Sequence, residues 1–107
     1  MTTHTELREQ ILSELRSIIN TTLSDLDVKV YLFGSWARNE EKQSSDIDIA
    51  VESCSQLPPS KWLELHENIE ESIIPYNVDI VNLENASSAL IQNVKREGVI
   101  WIDSKNE

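Results

Sequence analysis

The sequence holds one cysteine, two glycines and few basic residues, and it has no long apolar run. The single cysteine, Cys54, rules out an internal disulfide and points to a reducing compartment, the cytoplasm. No stretch approaches the roughly 18 apolar residues of a membrane span. The opening MTTHTELREQ lacks the apolar core of a signal peptide. Nineteen acidic residues against nine basic ones leave a formal net charge of -10. Such a surface repels phosphates, which argues against free DNA or RNA and favours a basic protein partner. An anionic nucleotide binds only where a metal cation or local donors offset that field. Solubility alone is the competing explanation of the acidity.

What is present fits one domain over residues 1–107 with one modest core. TELREQILSELRSIINTTL reads as an amphipathic helix with Leu7, Ile11, Leu15, Ile18 and Ile19 on one stripe. Thr5 is placed to cap it. Val28–Phe33 is a β-branched, aromatic strand. DIDIAV alternates strictly, as a strand with two unlike faces does. LPPSKWLELHENIEESII opens with prolines suited to a helix entrance, and Trp62, Leu65, Ile69 and Ile73 line one side. Asn77–Leu83 is a third strand. SSALIQNVKREG is a short helix with Lys95 and Arg96 in its last turn and Gly98 at C′. Val99–Asp103 is a last strand, and Ser104–Glu107 a frayed tail. With a short helical piece at SWARN, the order is α-β-α-β-α-β-α-β, an α+β fold on a mixed sheet.

Chemistry concentrates in FGSWARNEEKQSSDIDIAV, Phe33 to Val51. Asp46 and Asp48 share one strand face, their backbones about 6.6 Å apart. At an effective dielectric near 20 such a pair repels by about 2–3 kcal/mol. In NVDIV, Asp79 has the same alternation. If that strand pairs beside the first, three carboxylates meet, and they must either take up protons or hold a cation. A hard divalent ion such as Mg²⁺ suits carboxylate oxygens completed by substrate phosphates. His4 and His66 are isolated and read as solvated helix residues. Gly34-Ser35 directly follows a strand, where glycine permits close backbone approach and the following N–H groups with the Ser35 hydroxyl suit an anion. The P-loop pattern is absent.

GSWAR…SDIDIAV resembles the G-S…D-x-D signature of the DNA polymerase β-like nucleotidyltransferases, and the ending NVKREGVIWID is similar to their minimal nucleotidyltransferase (MNT) subgroup. The likeness runs from about Val28 to Asp103 and departs at Asn39, where the family usually has glycine. Asparagine is the next-best residue for a left-handed backbone. The resemblance implies that Asp46 and Asp48 bridge two Mg²⁺ ions. It also implies that Asp79 binds the catalytic ion and helps deprotonate the attacking hydroxyl, and that Gly34 and Ser35 hold the β- and γ-phosphates of ATP. Arg38 and Lys42 are the loop's cations. Each either touches the triphosphate or pairs with a nearby acid, and Arg38 is the one assigned to the nucleotide.

The chain has no second domain to hold an acceptor. In the family such minimal proteins are commonly antitoxins that transfer AMP to a tyrosine of a HEPN-domain ribonuclease toxin. The resemblance therefore implies a protein adenylyltransferase and a hetero-oligomeric complex with the toxin. The competing readings are an antitoxin that only masks its toxin sterically, and a nucleotidyltransferase acting on a small aminoglycoside-like hydroxyl. Trp36 lies either at the nucleotide mouth or partner surface, or in the core. Trp101, facing away from Ile100 and Ile102, makes one side of the last strand an interface unless it too is core.

Overall fold

The computed structural model describes residues 4–53 and 56–103, with side chains from residue 6 onward. The Thr5 cap, the solvated His4 and the tail Ser104–Glu107 lie outside those descriptions. The element order is α1 (His4–Thr22), β1 (Val28–Phe33), β2 (Ile47–Ser53), α2 (Pro59–Glu70), β3 (Val78–Asn82), a 3-10 turn (Leu83–Asn85), α3 (Ser88–Glu97) and β4 (Val99–Asp103). Among the described residues no helix is long and apolar enough to cross a membrane. The chain divides into two compact units.

One unit spans Met1–Asp25 and Leu57–Pro75 and contains α1 and α2. On α1, Ile11, Leu15, Ile19 and Leu23 are buried at four-residue spacing, while Leu7, at the start of the expected stripe, is half exposed. Leu65 and Ile69 are the buried residues of α2. Polar groups tie the end of α1 to α2. Asn68 Nδ2 donates to Thr22 Oγ1 (2.9 Å), and Lys61 Nζ donates to the Thr22 carbonyl (3.3 Å). That lysine satisfies a carbonyl that α1 leaves unpaired at its negative end. Pro59 starts α2, as expected of a residue whose missing N–H is unneeded in the first turn. The helix stops at Glu70, so Ile73 is not on its apolar side. It lies beyond the end and is 88% exposed.

The other unit spans Leu26–Gln56 and Tyr76–Glu107 and contains the sheet and α3. The strand order is β3-β2-β1-β4, with β1 antiparallel to β2 and β4, and β2 parallel to β3. Val30, Leu32, Ile49 and Val51 share one buried face. The opposite face carries Tyr31, Phe33 and Ala50, packed with Val94 and Leu83 and flanked by Leu90, Ile91, Val81 and Ala86. Beside this core, Glu52 accepts from the Tyr31 hydroxyl (3.3 Å) and pairs with Lys95 (2.9 Å). Burial first, then the Glu52 charge, pushes the Tyr31 hydroxyl up to about 12.

Three local expectations change. The helical piece at SWARN is a single turn. Gly98 is the C-cap of α3 with an extended backbone, φ -71, not a left-handed C′ residue. What requires glycine there is space: a Cβ would run into the Val94 carbonyl and lie 3.3 Å from Tyr31 Cβ. In β4 the register to β1 shifts between Val30 and Tyr31, which pair with Ile102 and Ile100, so Trp101 is an extra residue at a bulge. The bulge breaks the strict alternation. Trp101 is 9% exposed and belongs to the core, while Val99 and Ile100 are exposed.

Candidate active site

The end of β1 sets the first half of the site. Phe33 pairs with Asp48, and the chain then leaves the sheet at Gly34 with φ +76. A Cβ there would run into the Asp48 carboxylate, with Cγ only 3.1 Å away. The left-handed backbone calls for glycine, and a Cβ would in addition make the end of the Asp48 side chain give way. The next residues make one helical turn, with the Arg38 N–H donating to the Gly34 carbonyl (3.3 Å). Asn39, at φ +58, ends it. Its N–H donates to Trp36 O (3.4 Å), and the Glu40 N–H donates to Ser35 O (2.9 Å). That pair of bonds is a Schellman closure, with asparagine in the left-handed place that glycine usually holds.

The second half is set by strand register. The parallel β2–β3 ladder places Asp48 directly opposite Asp79. Cross-strand neighbours share a face, so the two carboxylates project to the same side as Gly34. Asp46 lies one residue before β2, exposed, as is Asp79, while Asp48 is half-buried. The Asp48 carboxyl is raised above its ordinary 3.8, by burial first, then by Asp79 and Asp46; Arg38 opposes the shift. Asp79 and Asp46 thus both act on Asp48 through space. Among the described residues, however, no three His, Cys, Asp or Glu side chains converge into a closed metal-holding group. The donor chemistry fits Mg²⁺, which takes one or two carboxylates and leaves its other positions to water and substrate phosphates.

Of the remaining expected residues, Ser35 sits half-buried at the start of the turn. Arg38 is exposed and already paired, Nε with Glu40 Oε1 at 2.7 Å and Nη1 with Glu97 Oε2 at 3.8 Å. The Glu40 hydrogen bond foremost holds its guanidinium protonated beyond the usual range. Lys42 is exposed in the loop, and its backbone N–H donates to Ser45 Oγ (2.9 Å). His66 is exposed on α2.

Sequence reasoning left Trp36 open and passed over Tyr76. Trp36 is 2% exposed, so it is core. Its Nε1 donates to the Ser45 carbonyl (3.4 Å), and its ring meets Tyr76 edge to face, centroids 5.0 Å apart at 74°. An aromatic residue immediately before a carboxylate-bearing strand was the available signal for Tyr76.

Known proteins share the fold and the sequence pattern of this chain. The family model for polymerase β nucleotidyltransferases matches residues 14–107. The protein adenylyltransferase MntA of Thermococcus cleftensis is 32% identical over 94 residues, covering 82% of this chain and 93% of that protein. MntA of Shewanella oneidensis is 38% identical over 69 residues, 64% of this chain and 49% of that protein. Among solved structures, a toxin–antitoxin crystal structure with AMP-PNP aligns at TM-score 0.67 and 31% identity, covering 84% of this chain and 74% of the other. A complex of tri-AMPylated Shewanella oneidensis HEPN toxin with MNT antitoxin aligns at TM-score 0.65 and 25% identity, covering 92% and 74%. With a family match over most of its length and the Gly34, Asp48 and Asp79 arrangement in place, the chain belongs to the polymerase β-type nucleotidyltransferases, in the branch of protein adenylyltransferases.

Proposed function

We propose that this chain is a magnesium-dependent protein adenylyltransferase serving as the antitoxin of a HEPN toxin pair, and that it transfers AMP from ATP to a tyrosine hydroxyl of the toxin. The observation that carries the reading is the parallel register of Asp48 with Asp79 beside a left-handed Gly34. The similarity to proteins named protein adenylyltransferase, and to the antitoxin in a complex with an AMPylated HEPN toxin, supports the acceptor class. The net charge of -10 suits a basic, RNA-cutting partner. A single domain over residues 1–107 and a cytoplasmic location are part of the same reading.

In this mechanism Asp46, Asp48 and Asp79 hold the metal. Bound Mg²⁺ supplies charge neutralisation of the carboxylates and of the triphosphate. The backbone N–H groups after Gly34, with Ser35, hold the β- and γ-phosphates. The exposed carboxylate of Asp79 takes the proton of the incoming tyrosine hydroxyl. The phenolic oxygen bonds to the α-phosphorus as the bridging oxygen to the β-phosphate leaves, and pyrophosphate carries the electron pair away. Arg38 contributes to the triphosphate by exchanging its Glu40 and Glu97 partners for phosphate oxygens.

The test is co-expression with the neighbouring gene product followed by intact-mass analysis. An AMP increment on the partner is expected, dependent on ATP and Mg²⁺. Asp46→Ala and Asp48→Ala should each reduce transfer by about 100-fold or more while the complex still forms. Unchanged transfer in both variants would rule the reading out.

A further inference from the structure

Three chain segments build the candidate site, and one side chain touches two of them and is packed by the third. Trp36 belongs to the turn that follows Gly34-Ser35. Its Nε1–H reaches the carbonyl of Ser45, the residue immediately before Asp46. Its ring is met by Tyr76, which precedes Asn77, and the Asn77 carbonyl accepts from the Ile47 N–H (2.9 Å) at the start of the β2–β3 ladder. The phosphate-side turn, the approach to Asp46 and Asp48, and the approach to Asp79 therefore converge on one buried indole.

We propose that Trp36, braced by Tyr76, is a positioning residue that holds the Gly34-Ser35 turn at a set spacing from Asp46, Asp48 and Asp79, so that a nucleotide phosphate and the metal are bound together. The inference rests on the nucleotidyltransferase reading above. The physical need is specific. The loop from Asn39 to Ser45 is irregular, and among its described residues the regular ladders stop at Phe33 and begin again at Ile47. The β1–β2 ladder fixes Gly34 beside Asp48, but the turn beyond it has left the sheet and Asp46 precedes β2, so without a crosslink Ser35 and the following N–H groups would lose their set spacing from the carboxylates. A rigid ring with one hydrogen-bond donor supplies that link at a small cost in side-chain entropy. Displacements near 1 Å matter at sites where two ligands must meet.

A brace of this kind acts on the coupling between ligands more than on either alone. The measurement is the affinity of the full chain for ATP with and without MgCl₂, by calorimetry well below the unfolding temperature. In Trp36→Leu and Tyr76→Leu the factor by which Mg²⁺ tightens ATP binding should fall about tenfold or more. Trp36→Phe keeps an aromatic ring against Tyr76 and loses only the bond to Ser45, so its loss should be smaller. A merely structural tryptophan would lower the unfolding temperature and leave that factor at the wild-type value in the folded protein; this result in the leucine variants overturns the proposal. Should Trp36→Leu not fold, Tyr76→Leu and Trp36→Phe decide it by the same criterion. The underlying reading has its own control. If wild-type ATP binding ignores Mg²⁺, or Asp48→Asn keeps the full factor, that reading fails before the brace is tested, and the proposal falls with it.

Discussion

Asp48 sits where the carboxylates of the candidate site crowd. It is partly buried, faces Asp79 across the ladder and senses Asp46, and its carboxyl is raised. An acid whose folded value lies above its unfolded one destabilises the fold once ionised. The penalty is absent below the ordinary value of 3.8 and develops as pH rises through the raised one. Asp48→Asn should therefore melt at a higher temperature than wild type at pH 7, and the gap should close as the buffer is taken down towards pH 4. A lower melting temperature for the variant at pH 7 would contradict the carboxylate crowding. Two neighbouring positions separate backbone strain from crowding. Gly34 and Asn39 both have positive φ, but only Gly34 lies against Asp48. Asn39→Ala should cost about 1 kcal/mol for the left-handed backbone, and Gly34→Ala clearly more in urea unfolding. The pairing of Gly-Ser with D-x-D was legible as a pattern. That Gly34 packs against Asp48 was not, since it takes folding to bring the two together.

Among the elements, strands and helices follow their local chemistry closely. The alternation in DIDIAV became β2 with Ile47, Ile49 and Val51 fully buried. The expected helix SSALIQNVKREG formed as α3, and folding shows its start capped by Ser87, whose Oγ accepts from the Leu90 N–H (3.2 Å). Ser87→Ala should cost about 1 kcal/mol of stability, read as faster amide exchange in the first turn of α3. A change confined to other elements would show that the cap is not what holds this end. Element ends were read less well. The SWARN turn closes after one turn because Asn39 goes left-handed and Glu40 bonds back to Ser35. The last strand does not alternate because the bulge at Trp101 depends on pairing with Val30 and Tyr31, partners some 70 residues away.

At the scale of the molecule, the surplus of acids is a repulsion that the fold tolerates. Raising ionic strength from about 0.01 to 0.15 M shortens the screening length from roughly 30 to 8 Å. The thermal midpoint should rise over that range with a neutral buffer salt, and a midpoint that falls would mean that attractive ion pairs dominate. The sequence by itself determined the long helices and strands, their order, the acidity and the candidate site residues. All of these depend on residue type and on spacing within a few positions. The tertiary structure alone decided which residues meet. The parallel register put Asp79 opposite Asp48, the antiparallel register set Gly34 against the same carboxylate, and the indole of Trp36 was packed against Tyr76. Such meetings depend on hydrogen-bond register and burial between segments remote in the chain, and no local spacing encodes them.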